Sequence, residues 1–358
     1  MKNVTKLAMW TALLPITLVS LGQAQACSPA LSTSNRTAIE DFVASAAHDD
    51  ALGDRAPAAL RERGEKYMSE RYLQHHPGVA SGREAFVQYH IKWYHDHPPR
   101  KRASPPPPVA VLADCEWVLY AHRIYRPDLQ RQGRSYESVL FDLWKVRDGK
   151  ADEHWDSFVD LWHQQAVGSN DPEAEAAAPP GALEKPAMSR ASSPSADPER
   201  CDGATIEHNR SLIARLAVIR ADPARLPRIA DQLIASDYIE HNPYLLDRPY
   251  QGRAGFVHTM QNEGHRVPGV EFRYGMPEFV LADCTHVGTV KKLLRADPAA
   301  SGMTYESFWF DLWRVEGGQL KEHWDATLKG VDYHWEDLDA LNRVQGAVPV
   351  SRPSGTRP

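Results

Sequence analysis

The sequence predicts an α+β protein built as two tandem copies of one domain, helices first and then an antiparallel sheet that the helices cover. Three observations carry this. The chain repeats itself in order, each repeat passes from helical to strand patterning, and a Pro-, Ala- and Ser-rich stretch separates the repeats.

Leu112-Ala113-Asp114-Cys115 returns 169 residues later as Leu281-Ala282-Asp283-Cys284. The same offset relates Tyr136-Glu137-Ser138 to Tyr305-Glu306-Ser307, and Phe141-Asp142-Leu143-Trp144 to Phe310-Asp311-Leu312-Trp313. It also relates Glu153-His154-Trp155-Asp156 to Glu322-His323-Trp324-Asp325. Earlier in each copy, Tyr72 to Pro77 matches Tyr238 to Pro243, and Gly82-Arg83 matches Gly252-Arg253. So many ordered matches exclude chance. The expected domains are 27–167 and 201–335, with a linker at 168–200 and a tail at 336–358. Both connecting stretches lack apolar periodicity and read as flexible chain.

Within a copy, Asn35 to Ala47 and Asn209 to Ala221 carry apolar residues at helical spacing behind an asparagine that suits an N-cap. Val109 to Leu112, Glu116 to Tyr120 and Ser138 to Val146 are rich in β-branched and aromatic residues, as strands are. Asp148-Gly149 and Gly317-Gly318 each separate two such runs, a hairpin signal. The long strand is apolar on both faces, Val139, Phe141 and Leu143 against Leu140, Trp144 and Val146. It needs cover on both sides, helices on one and a partner on the other. The second copy is the candidate partner, giving a pseudo-dimer.

Composition narrows the function. Of 358 residues, 41 are Lys or Arg and 47 Asp or Glu, a formal charge of −6 with no basic tract. That argues against nucleic acid or an anionic membrane as the main partner. Lys2 and Lys6, the apolar run Leu7 to Leu21 and Ala24-Gln25-Ala26 read as a cleavable export signal over 1–26, too short to span a bilayer. A lipoprotein site at Cys27 fits less well, because Ala24 and Gln25 are poor residues for it. A secreted or periplasmic chain meets an oxidising compartment, so its four cysteines should pair. Three pairings exist. The duplication favours Cys27–Cys115 with Cys201–Cys284, one bridge per copy, and no C-x-x-C spacing suggests zinc.

The residues with chemistry sit in the repeated motifs. Asp325 and Asp156 end a strand among tryptophans, where an apolar setting disfavours the charged carboxylate and makes it a usable acid/base. Asp311 and Asp142 interrupt an apolar strand, a costly placement unless the carboxylate is paired or used; Lys145, Arg314 or a helix arginine is the structural alternative. His323 and His154 share a strand face with the following aspartate, two residues on. Whether that face points inward stays open, because an even loop, an odd loop or a bulge each gives a different register. His241 and His75 precede proline and either satisfy loop groups or enter the pocket to hydrogen-bond an enolate oxygen. His241, His323 and Asp325 could form a 2-His-1-carboxylate set, but nothing in the spacing demands a metal.

Tyr-x-x-His-Asn-Pro, Gly-Arg and Asp-Leu-Trp-Arg-Val-x-x-Gly-x-x-x-Glu-His-Trp-Asp together resemble the SnoaL-like polyketide cyclases. More closely they resemble the aldol-condensation branch of that family, within the nuclear-transport-factor-2-like superfamily. The resemblance implies a cone-shaped α+β barrel in each copy, a curved antiparallel sheet around a pocket closed by helices. It also implies cofactor-independent and metal-independent chemistry on a small apolar carbonyl compound, with a pocket aspartate as acid/base. His76 where copy two has Asn242, a shorter loop and the Ser104 to Pro108 insert set copy one apart, so copy two is expected to be the better site. The rival expectation is a non-catalytic module that binds a small ligand or docks another protein.

Overall fold

The computed structural model describes residues 27–46, 56–76, 79–96, 106–127, 135–157, 201–221, 223–242, 251–263, 277–296 and 304–326. The expected export signal, linker and tail, at 1–26, 168–200 and 336–358, lie outside the described residues. In the first half α1 (Pro29–Ala46) and α2 (Ala56–Tyr67) lead into β1 (Met68–Gln74), α3 (Arg83–Asp96), β2 (Ala110–Asp114), β3 (Trp117–Pro127), β4 (Ser135–Arg147) and β5 (Lys150–Asp156). The second half follows the same order. It has α4 (Gly203–Ala221), α5 (Leu226–Leu233), β6 (Ile234–Glu240), α6 (Gly252–His258), β7 (Phe279–Ala282), β8 (His286–Ala296), β9 (Thr304–Glu316) and β10 (Gln319–Asp325).

Each half holds a five-stranded sheet, ordered β1-β5-β4-β3-β2 and β6-β10-β9-β8-β7. The expected α+β class holds, and the expected cone-shaped barrel of antiparallel sheet is corrected in two respects. Both sheets are open, and both are mixed, because β1 pairs with β5 and β6 with β10 in parallel. A meander of four antiparallel strands brings β5 back beside β1 running in the same direction. The strand β1 was hidden because only Met68 and Tyr72 of its seven residues are buried, four apart rather than two. A register shift between Met68 and Leu73 absorbs the irregularity.

Other expectations hold at residue level. The hairpins turn where Asp148-Gly149 and Gly317-Gly318 stand, with φ of 52° and 72°, and of 58° and 76°. Two successive left-handed residues match the right-handed twist of the flanking strands. The cysteines pair as Cys27–Cys115 and Cys201–Cys284, and no described cysteine is free. Loops of 88 and 83 residues are closed in this way. Removing that much chain freedom from the unfolded state stabilises by about 4–5 kcal/mol per bridge in the chain-entropy account.

The N-cap expectation is corrected. Helices α1 and α4 begin several residues before Asn35 and Asn209, and Asp202 caps α4 through Thr205 N (2.9 Å). The two asparagines are buried instead, and each donates its amide across to a carbonyl beside the β2–β3 or β7–β8 turn, Cys115 O and Asp283 O, at 2.8 Å. They tie the first helix to the same turn that the disulfide holds.

Both faces of each sheet are covered. Trp144 and Val146 pack under Ile39, Phe42 and Phe86 from the helices, and Trp313 and Val315 under Leu212, Leu216 and Phe256. On the opposite face Val139, Phe141, Leu143 and Trp155 share one apolar cluster with Phe308, Phe310, Leu312 and Trp324. Phe141 stacks on Phe310 at 5.7 Å between ring centroids. Among the described residues no helix is long and apolar enough to cross a membrane.

Candidate functional site

Strand alternation divides the Glu-His-Trp-Asp motif between the two sheet faces. Glu and Trp go to the face shared between the halves. There Glu153 takes Lys145 (3.0 Å) and His75 (3.2 Å), and Glu322 takes Arg314 and His241 (2.8 Å). The His75 ring lies flat on Trp155 at 4.2 Å, and the His241 ring on Trp324 at 4.5 Å. So His75 and His241 stand on the far side of the sheet from the other predicted site residues. Burial works against the Glu322 charge, but the hydrogen bonds and charges of His241 and then Arg314 outweigh it and leave the carboxyl below its usual range. Lys145 and Arg314 are spent on the motif glutamates, not on Asp142 and Asp311.

His and Asp go to the helix-covered face. The register sets Asp142 opposite Asp156 and Asp311 opposite Asp325, with a bulge just after the turn in each hairpin. That bulge is why counting through the hairpin leaves the faces open. In the second half the groups form one buried cluster. His323 Nδ1 donates to Glu240 (2.9 Å) and its Nε2 to Asp311 (3.2 Å). Trp309 Nε1 also donates to Asp311 (2.9 Å), and Asn242 Nδ2 to Asp325 (2.7 Å). Tyr238 Oη and the Asn242 backbone N–H hold Glu240, each at 3.0 Å. Burial alone would lower the His323 pKa, but Glu240 and Asp311 outweigh it and raise it to about 10. His323 is therefore an imidazolium clamped between two carboxylates.

Ligand atoms of Asp311, His323 and Asp325 all lie within 4.8 Å of one another. The three-residue group thus includes Asp311 where the sequence suggested His241, whose ring is turned to the other face.

In the first half one substitution changes the chemistry. Gln74 stands where the second half has Glu240. The His76 backbone N–H donates to Gln74 Oε1 (3.1 Å), which leaves the amide nitrogen to face His154 Nδ1 at 3.0 Å. A ring nitrogen that accepts carries no proton, so His154 donates only from Nε2, to Asp142 at 3.0 Å. Asp142 also accepts from His122 Nε2 at 2.7 Å. Burial works against the Asp142 charge, but these two hydrogen bonds prevail and hold its carboxyl well below the usual range. Asp142 is thus an anchor and a weak base.

The two sites also differ in access. The His122 side chain is 24% exposed and Asp142 14%, against 6% for His323 and 2% for Asp311. Beside the open set, Tyr72 is wholly buried, and its hydroxyl has no hydrogen-bond partner among the described residues. Burial first, and then the charges of Asp156 and Asp142, push its pKa well up, so it stays a donor. Asp156 acts in the same way on Tyr89 of α3, after burial.

Sequence reasoning passed over His122, Gln74, Glu240 and Tyr72. His122 was visible as a polar residue in a β-branched and aromatic strand, diagonal to Asp142 across the β3–β4 ladder. A charged surface hollow lined by Arg61, Glu65, Glu70 and Arg83 contains none of the site residues.

Gln74→Glu should make the first half resemble the second. A new acceptor at Nδ1 is expected to place a proton on both ring nitrogens of His154, read by nitrogen-15 NMR of the ring at neutral pH. An unmoved ring would show that the Gln-for-Glu difference does not set the histidine's charge.

Fold and site together define an α+β protein with a histidine–carboxylate cluster under the helices of each half. No family model matches the chain, and no curated protein matches it. Among solved structures it is similar to TsrD from Streptomyces laurentii (19% identity, TM-score 0.23, over 36% of this chain and 95% of that one). It is also similar to a SnoaL-like polyketide cyclase from a Jannaschia species (19%, TM-score 0.27, over 44% and 99%). A third is a nuclear-transport-factor-2-like protein from Burkholderia pseudomallei (13%, TM-score 0.26, over 38% and 98%).

Proposed function

We propose that the protein is an exported, cofactor-independent acid/base enzyme that enolises a small apolar carbonyl compound, with its working site in the first half. The observation that carries this reading is the buried Tyr72 hydroxyl, which has no hydrogen-bond partner among the described residues and feels the charge of the half-buried Asp156, next to the more open His122–Asp142–His154 set. Asp156 takes the proton α to the carbonyl, and Tyr72 donates a hydrogen bond to the enolate oxygen. Asp142, held by its two histidines, keeps the wall of the site polar and rigid. The enolate carbon then attacks a second carbonyl in an aldol-type closure. A carboxylate base working with a tyrosine donor is also the division of labour in ketosteroid isomerase. In the second half the equivalent tyrosine, Tyr238, is bound to Glu240, and His323 is held on both nitrogens. This favours a non-catalytic second half, one that binds a small ligand or only supports the first.

The export reading rests on the 1–26 sequence pattern together with the two disulfides. The apolar cluster shared by the two sheets supports a pseudo-dimer of tandem domains at 27–167 and 201–335.

The test is deuterium incorporation, by NMR, into a panel of β-dicarbonyl and aromatic ketone compounds. Asp156→Asn should slow exchange by about 100-fold or more, while Asp325→Asn leaves it near the wild-type rate. Exchange lost through Asp325→Asn instead would move the site to the second half. No exchange across the panel, with saturable line broadening, would favour the binding module.

A further inference from the structure

The sheet faces that meet in the shared cluster are alike in position and unlike in size. Residues related by the 169-residue offset face each other near the middle of that cluster. Phe141 meets Phe310, and Leu119 meets Gly288. A Cβ built on Gly288 would lie 2.2 Å from Leu119 Cδ2 and 3.2 Å from Leu112 Cδ1. Leu119 is thus a knob seated in a hole that only glycine leaves.

The pattern continues away from the centre. Phe279 packs on Trp117 at 4.6 Å and on Trp155 at 5.7 Å, whereas its counterpart in the first half is Ala110. Phe308 reaches His75 at 6.3 Å, and its counterpart is Val139. Trp117 itself is matched by His286. Each half is large where the other is small.

We propose that these two sheet faces are a complementary pair, so that the face of each half accepts the other half and rejects a second copy of itself. This rests on the packing of the halves as a pseudo-dimer. A two-fold contact between identical faces sets each residue near the axis against itself. A first-half self-pair would drive Leu119 into Leu119 and leave Ala110 short of Trp117. A second-half self-pair would set Gly288 against Gly288, with a void where the knob sits. Both overpacking and cavities disfavour association, so the asymmetry selects the mixed pair. It also explains the covalent tandem: the partner that fits is the one the chain already carries.

The experiment uses the full-length chain. Gly288→Leu and Leu119→Gly are made singly and together, with Gly288→Ala and Leu119→Ala as a milder set, and thermal midpoints are compared. Each large single change should lower the midpoint by about 5 °C or more. The double exchange, which moves the knob to the other half, should recover at least about half of the summed loss, since contacting residues couple. Separately, a protease site between residues 168 and 200 is cut and the product sized. Halves that stay together, with coupled exchange variants, support the proposal. Halves that stay together while the losses simply add overturn the knob and hole but leave the packing intact. Halves that separate overturn the packing and the proposal with it.

Discussion

His323→Gln is expected to be among the most damaging single substitutions, and to erase a specific pH dependence. The imidazolium is 6% exposed and lies between Glu240 and Asp311, with Asp325 close by. Removing one partner from a buried charge set costs about 3–5 kcal/mol, because the remaining carboxylates keep their desolvation penalty. The sign of the pH effect follows from linkage. His323 titrates near 10 in the folded chain and near 6.5 when unfolded. Its contribution is complete below about pH 6.5 and is lost as pH rises through about 10. The wild type should therefore weaken across that window in urea titrations, and His323→Gln should be nearly flat there. Equal alkaline slopes in the two proteins would refute the clamped imidazolium. On the acid side, burial lowers His76 and His90 to about 4 and His286 to about 3. These rings fold neutral, so the unfolded state takes up more protons as pH falls below about 6.5, and stability drops there as well.

Phe141→Ala should cost as much and report something different. Phe141 is fully buried and stacks on Phe310 in the cluster that both sheets line. Deleting a buried phenyl ring costs about 3–5 kcal/mol in lost transfer and cavity terms. At roughly 2–4 °C per kcal/mol the midpoint should fall by about 10 °C. Because the cavity would open in shared core, the near-ultraviolet signals of tryptophans in both halves should shift together in one transition. Two separated transitions, with only the first half affected, would show that the halves melt independently.

Much of the architecture was legible in the residues, and the reasons are local. Asp148-Gly149 and Gly317-Gly318 announce their hairpins because few residues tolerate two left-handed φ angles in a row. The cysteine pairing followed from a duplication that places one pair in each copy. The two-faced apolar strand demanded cover on both sides, and Trp144 and Phe141 are indeed buried on opposite ones. What misled was equally physical. Asn35 and Asn209 suit an N-cap by type, yet the helices start earlier and the amides are needed as buried cross-ties. β1 gives the core two side chains at a spacing of four, which reads as helix.

The site was half legible. Alternation placed His323 with Asp325 and His154 with Asp156, because the two-residue period belongs to the strand itself. It could not say what each pair would face, since that depends on one bulged residue per hairpin. Nor could it place His75 and His241, whose rings lie on the opposite face against Trp155 and Trp324. The different hydrogen bonding of the two sets turns on Gln74 replacing Glu240 and on His122, residues far apart in sequence.

The sequence by itself determined the duplication, the strand periods, the turns and the cystine pairs, because each depends on residue type at short range or on repetition along the chain. Tertiary structure alone decided the parallel pairing of β1 with β5, the bulged register and the charge of each buried histidine. Those outcomes depend on which distant groups share a dry space, where one hydrogen-bond acceptor more or less changes a protonation state.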